Sequence, residues 1–150
     1  MGFHSPFLFM KHRITPEKVE NLVKNQVFVF GSNESGIHGS GAARLALDKF
    51  GAPFGKGFGY SGSSIGKTFA IPTKDWEIET LSVDCIKFYV ERFIEFAKGN
   101  PIKQFLVTEI GCGLAGYKPE NIAPLFKDAI DINNIHLPQR FWTILNNDSR

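Results

Sequence analysis

Ile110-Gly111-Cys112-Gly113-Leu114-Ala115-Gly116-Tyr117 follows the apolar run Phe105-Leu106-Val107 and precedes a helix start at Pro119. Three glycines within six residues let a backbone bend tightly and aim several N–H groups at one point. A strand, a glycine turn and a helix N-terminus in that order form a seat for an anion such as phosphate. The chain carries a second unit of this kind. Val27-Phe28-Val29-Phe30 leads into the Gly/Ser-rich stretch Gly31 to Gly41, and the helical run from Ala42 to Leu47 follows. Two such units in one small domain predict two walls of one cleft, sized for a diphosphate.

Outward from these units, strands alternate with helices. Thr15-Pro16-Glu17 reads as a helix start, with a capping hydroxyl, proline at the first position and an acid in the first turn. That helix is expected to run to about Lys24. Helices are also expected over 41–50, over 80–98 with Gly99 as its stop, and after Pro119 with Ile122, Leu125, Phe126 and Ala129 inward. Strands are expected at 27–30, at 68–73 ended by Pro72, at 104–108 and at 141–145. The glycine-dense 51–67 reads as loop and short edge strand. This alternation predicts an α/β fold, a largely parallel sheet covered on both faces. Ligands of such folds sit beyond the C-terminal ends of the strands, where both glycine turns fall.

At 150 residues the chain is expected to form a single domain, 1–150, with 1–14 as an N-terminal extension. With 43% hydrophobic and 21% charged residues and a net charge of +2, the balance is that of an ordinary soluble protein. Direct nucleic-acid binding and membrane association are not indicated. The apolar start, Phe7-Leu8-Phe9-Met10, is short and follows Pro6, which fits neither a signal peptide nor a membrane span. Cys85 and Cys112 form no C-x-x-C pair and no metal-ligating cluster, so the reading is a cytoplasmic protein with no metal and no resident cofactor.

Two literal matches fail on context. Gly57-Phe58-Gly59-Tyr60-Ser61-Gly62 fits G-x-G-x-x-G but does not join a strand to a helix. Gly62 to Thr68 is one residue short of a P-loop and leads into a strand. The candidate ligand contacts are the two glycine loops. The first supplies Asn33, His38, Gly39, Ser40, Gly41 and Ala42. The second supplies Gly111, Cys112, Gly113, Leu114, Ala115, Gly116 and Tyr117. Asn33 either hydrogen-bonds a ribose hydroxyl or closes an Asx-turn. His38 either touches a ligand or makes a local bond at the helix entry. Cys112 is either a thiol activated by the nearby helix N-terminus or a small residue fitting a tight turn. Lys74 either neutralises phosphate charge or acts as a nucleophile, or forms an exposed loop ion pair with Asp75. Trp76 beside them stacks on a ring or joins the core, and Tyr117 packs over a ribose or anchors its turn.

Gly31-Ser32-Asn33 through His38-Gly39-Ser40-Gly41-Ala42-Ala43 resembles the first ligand loop of the macrodomain family, and Ile110 to Tyr117 resembles the loop under the diphosphate. The resemblance covers roughly residues 27–145. It implies a three-layer α/β/α sandwich that binds ADP-ribose or an ADP-ribosylated macromolecule. Ile-Gly-Cys-Gly-Leu is similar to one branch in particular, which removes terminal ADP-ribose from acidic side chains with a lysine attacking the ribose C1″. By that resemblance Lys74 inherits the nucleophile's role. The branch's assisting aspartate falls at Ala115, so Asp75 is the substitute on offer. The alternatives are an ADP-ribose-binding module without catalysis, and a structural or partner-binding protein whose apolar N-terminal tail seeks a partner.

Overall fold

The computed structural model describes residues 13–148. Its elements are β1 (Ile14–Thr15), β2 (Gln26–Asn33), α1 (Gly41–Lys49), β3 (Gly59–Gly62), β4 (Lys67–Lys74), α2 (Val83–Lys98), β5 (Gln104–Val107), α3 (Pro119–Ile122), β6 (Ile135–Pro138) and α4 (Gln139–Asp148). A 3-10 helix, Ala123–Ala129, continues from α3. One six-stranded sheet has the order β1-β6-β5-β2-β4-β3, parallel throughout except for β3. This is the expected α/β class. No helix among the described residues is long and apolar enough to cross a membrane.

The period-two alternation of the strands divides the core. Val27, Val29, Phe69, Ile71, Phe105 and Val107 point to one face, against α2, the 3-10 helix and α4. Phe28, Phe30, Ala70 and Leu106 point to the other, against Ala43, Ala46 and Phe50 of α1 and its flanks. Both sheet faces are buried, which is why these strands read as continuous apolar runs. The thicker layer holds an aromatic cluster in which Phe93 meets the edges of Phe69 and Phe105 at 5.0 and 5.5 Å.

Four expectations are corrected. No helix forms over 15–24. Thr15 belongs to β1, and 16–25 crosses the sheet as irregular chain with a bend at 17–18 and a turn at 24–25. The register explains this. Thr15 lies level with Phe30, three strands away, and the chain must descend to Gln26. That diagonal is about 20 Å from strand spacing and rise, and a ten-residue helix spans only about 15 Å. Arg13 and Ile14 are accordingly part of the fold, and only 1–12 of the expected extension, with its Phe7–Met10 strip, lies outside the described residues. Second, Phe141 to Leu145 lies in α4, burying Phe141, Trp142 and Leu145 at helical spacing. The strand there is Ile135–Pro138. Third, Pro72 does not end β4, which runs to Lys74. β3 pairs with β4 only as far as Ala70, so Pro72 stands where β4 has one neighbour and tolerates a missing N–H. Fourth, the stretch after Pro119 tightens to 3-10 at Ala123, because Pro124 cannot donate to Glu120. Ile122, Phe126 and Ala129 remain buried and Leu125 is half-buried.

Arg13 fastens the end of the sheet. Its guanidinium donates to the carbonyls of Ile135 (3.0 Å), Ile130 (2.8 Å), Ala129 (2.8 Å) and Ile132 (2.7 Å) and lies 5.0 Å from the Trp142 ring. Trp142 Nε1 donates to the Arg13 carbonyl at 2.7 Å. Burial lowers the Arg13 pKa, with the Asp131 charge opposing. Arg13→Ala would take a donor from four carbonyls, of which those of Ala129 and Ile132 keep a backbone N–H. The expected cost is about 3–5 kcal/mol, read by urea denaturation. A cost below about 1 kcal/mol would mean that water replaces the guanidinium without penalty.

Candidate functional site

β2, β4 and β5 are neighbours, and their C-terminal ends deliver Asn33, Lys74 and Thr108 to one edge of the sheet. A cleft of about 510 Å³ opens there, within the range of small-molecule sites. Its walls are the two glycine loops, Gly39 to Ala43 on one side and Gly111 to Ala115 on the other, over a floor that includes Gly31, Thr73 and Thr108. The sequence-predicted wall residues Asn33, Gly39, Ser40, Gly41, Ala42, Gly111, Cys112, Gly113, Leu114 and Ala115 all line it, as does Lys74.

Four of the expected residues stand back. His38 is buried with its ring edge-on to Phe30 at 5.1 Å, and Nε2 lies 3.2 Å from the Pro53 carbonyl. Burial lowers its pKa, so it is a neutral strut beneath the first loop. Tyr117 donates its hydroxyl to the Leu81 carbonyl at 2.7 Å and anchors its turn. Gly116 shapes that turn at φ +89°. Asp75 forms neither a cleft wall nor an ion pair with Lys74. Its Oδ1 accepts from the N–H groups of Glu77 (2.8 Å) and Glu79 (3.0 Å), closing the turn after β4. Trp76 on that turn is 69% exposed and not in the core.

The loops are shaped by their own hydrogen bonds. Asn33 is buried and works as a turn-former. Oδ1 accepts from Ile37 N–H (2.9 Å) and from Ser35 (2.8 Å), and Nδ2 donates to the Ile37 carbonyl (2.7 Å). Thr80 donates to the Ala115 carbonyl at 3.0 Å, which ties the turn after Lys74 to the second loop. Glu34 accepts from the Tyr89 hydroxyl and ties the first loop to α2. Burial, reinforced by that bond, pushes the Tyr89 pKa up to about 12.

Both walls offer backbone donors. The first hydrogen bond of α1 runs from Arg44 N–H to the Ser40 carbonyl, and the Ser40 side chain makes no cap. The N–H groups of Gly41, Ala42 and Ala43 are therefore the open end of the helix dipole. In the second loop the N–H groups of Ile110, Cys112, Gly116 and Tyr117 are used internally. Those of Gly113, Leu114 and Ala115 take no part in these bonds.

The glycines fall into two sorts. Gly111 is required by the fold: φ is +74°, and a Cβ there would meet Ile122 Cδ1 at 3.1 Å. Gly39 and Gly113 are not. Neither has a left-handed φ, and a Cβ at either would meet nothing within 4 Å. Both border the cleft.

Glu109 was not among the sequence candidates, yet it lines the cleft at the foot of the second loop. Arg140 in the first turn of α4 grips it from both sides, Nε to Oε2 at 2.7 Å and Nη2 to Oε1 at 2.5 Å. The two are 31 positions apart, so nothing local in the sequence announced the pair. A smaller cavity of about 400 Å³ adjoins the cleft, sharing Ala42 and Thr108. It lies between the 17–20 crossing segment and α1, over Phe28 and Leu45. Among the described residues no cluster of His, Cys, Asp and Glu is arranged to hold a metal.

No protein-family profile matches the chain, and no curated protein matches it significantly. A solved structure described as a protein of unknown function from Bacteroides thetaiotaomicron is similar in fold. Its TM-score is 0.59 at 15% identity, over 79% of this chain and 88% of that one.

The Cys112 thiol is not activated. Burial, with the Glu109 charge adding to it, pushes its pKa up to about 11. The expected outcome is that iodoacetamide at pH 8 labels the exposed Cys85 and leaves Cys112 largely intact, with Cys112 labelling rising only as pH approaches about 11. Peptide mapping that found Cys112 labelled first would reverse this.

Proposed function

We propose that the cleft binds ADP-ribose or a closely related nucleoside diphosphate, free or carried on a macromolecule. The observation that carries this is the pair Gly39 and Gly113. Their glycines serve neither backbone conformation nor packing, so the space they keep open belongs to something other than the protein. The open N–H groups around them, on a helix N-terminus and a glycine loop, suit the oxygens of a diphosphate. The macrodomain resemblance of the same two loops supplies the ligand's identity. The adjoining cavity over Phe28 and Leu45 offers an apolar slot for a base.

On this reading Lys74 stands at the ribose end: its neutral amine attacks C1″ and displaces the linked carboxylate, and water then cleaves the lysine adduct, releasing ADP-ribose and restoring the amine. A second reading, a binding module without turnover, has its own support. Position 115 is alanine, and the Asp75 carboxylate is engaged by its turn. Both thiols are free, which suits the reducing cytoplasm proposed for this protein.

Gly39→Ala and Gly113→Ala are expected to keep stability within about 0.5 kcal/mol of the wild type. Calorimetry is expected to show ADP-ribose affinity falling about tenfold or more in each. Unchanged affinity in both would move the ligand elsewhere. For catalysis, Lys74→Ala is expected to abolish release of ADP-ribose from modified protein while binding persists. Undiminished release would remove Lys74 from the chemistry, and a wild type that binds without releasing would make the chain a binding module.

A further inference from the structure

A cleft that accepts a diphosphate should not carry an acid, yet Glu109 is on its wall. Among the described residues the only other charged residue lining it is Lys74, so these lining residues carry no net formal charge. Attraction for an anion then rests on Lys74 and on the backbone dipoles of the two loops. Arg140 changes this balance. Its guanidinium is outside the lining, but it holds Glu109 through two hydrogen bonds at 2.7 and 2.5 Å. The same bond raises the Arg140 pKa, so the partner stays cationic. Glu120 is within electrostatic reach of Arg140 and of Cys112.

Arg140 is 68% exposed and Glu109 30% exposed at the side chain, so solvent screens part of this bidentate pair and its geometry fixes the carboxylate in place. Its placement at the foot of the second loop, beside the open N–H groups of Gly113, Leu114 and Ala115, gives it an electrostatic task as well. Arg140 neutralises Glu109 enough for the cleft to admit a diphosphate. Glu109 in turn engages a cation that would otherwise let more highly charged ligands in.

We propose that the Glu109–Arg140 pair is a charge filter that sets the cleft's preference for a diphosphate diester over ligands ending in a free phosphate. This rests on the reading of the cleft as a nucleoside diphosphate site. A diester carries one charge on each phosphate. A terminal phosphate, with its second pKa near about 6, adds most of another. Each added charge meets the Glu109 carboxylate without a further cation to offset it.

The test is calorimetric titration of ADP-ribose, ADP and ATP, without magnesium, into wild type, Glu109→Gln, Arg140→Gln and the double variant. Both side chains are at the surface, and unchanged melting would verify folding. Wild type is expected to bind ADP-ribose tighter than ADP and ADP tighter than ATP. Glu109→Gln is expected to narrow the gap between ADP-ribose and ATP about tenfold, chiefly by strengthening ATP. Arg140→Gln is expected to weaken all three ligands and ATP most, and the double variant to recover most of that loss. The differences are expected to shrink in high salt. If ADP-ribose binds but Glu109→Gln leaves the ratio within about twofold of wild type, the filter is overturned while the cleft stands. If wild type binds none of the three, the reading of the cleft fails and the filter with it.

Discussion

The parallel ladder that joins β2 to β4 on one side and β5 on the other is the constraint on which the rest of this molecule depends. Parallel pairing brings like ends together, so three strands that are far apart in sequence release their chains at one edge. Phe28 pairs with both Thr68 and Leu106, and that register sets the heights of Asn33, Lys74 and Thr108. Thr108 strengthens the seam by donating both its N–H and its hydroxyl to the Val29 carbonyl, at 3.1 and 2.8 Å. A slip of one residue would turn Val27 and Val29 away from α2 and force Phe28 and Phe30 into their place. The core therefore fixes the cleft, because the side chains that cannot change faces hold the strands that carry the loops.

The two faces of the sheet are unequal, and the inequality gives the site its shape. One face is sealed by α2, the 3-10 helix and α4 over a dense set of aromatic rings. The other is covered by the single nine-residue α1 and a crossing segment anchored by Val19. Thin cover leaves the side cavity between α1 and residues 17–20, opening toward the cleft. A rigid floor on a packed face, with room on the lighter one, lets a ligand be received without disturbing the core.

The loops above this floor are braced rather than loose. Asn33 closes the first, Asp75 closes the turn after Lys74, and Thr80 and Tyr117 bind that turn to the second loop. These polar side chains hold backbone in shape, which leaves main-chain N–H groups of both walls as open donors beside Lys74. Loops held before a ligand arrives lose less conformational freedom on binding. Asn33 and Asp75 thus serve the site through geometry.

The sequence by itself determined the α/β class, the places of β2, β4, β5, α1 and α2, the inward residues after Pro119, and the two glycine loops as walls of one cleft. Each of these is written in local terms: a period of two or 3.6, or glycines between a strand and a helix. Even a signal of this kind misled where distance mattered, since Thr15-Pro16-Glu17 reads as a helix start but the chain must pass two strands, β6 and β5, before Gln26. Only the tertiary structure decided that Glu109 stands in the cleft with Arg140 upon it, that Asp75 is spent on its own turn, and that His38 lies under the wall and not in it. It also separated Gly111, which the fold needs, from Gly39 and Gly113, which it does not. The physical reason is the same in each case. Periodicity and turn chemistry act over a few residues, whereas an ion pair, a burial or an empty space is made by segments that meet only when the sheet assembles.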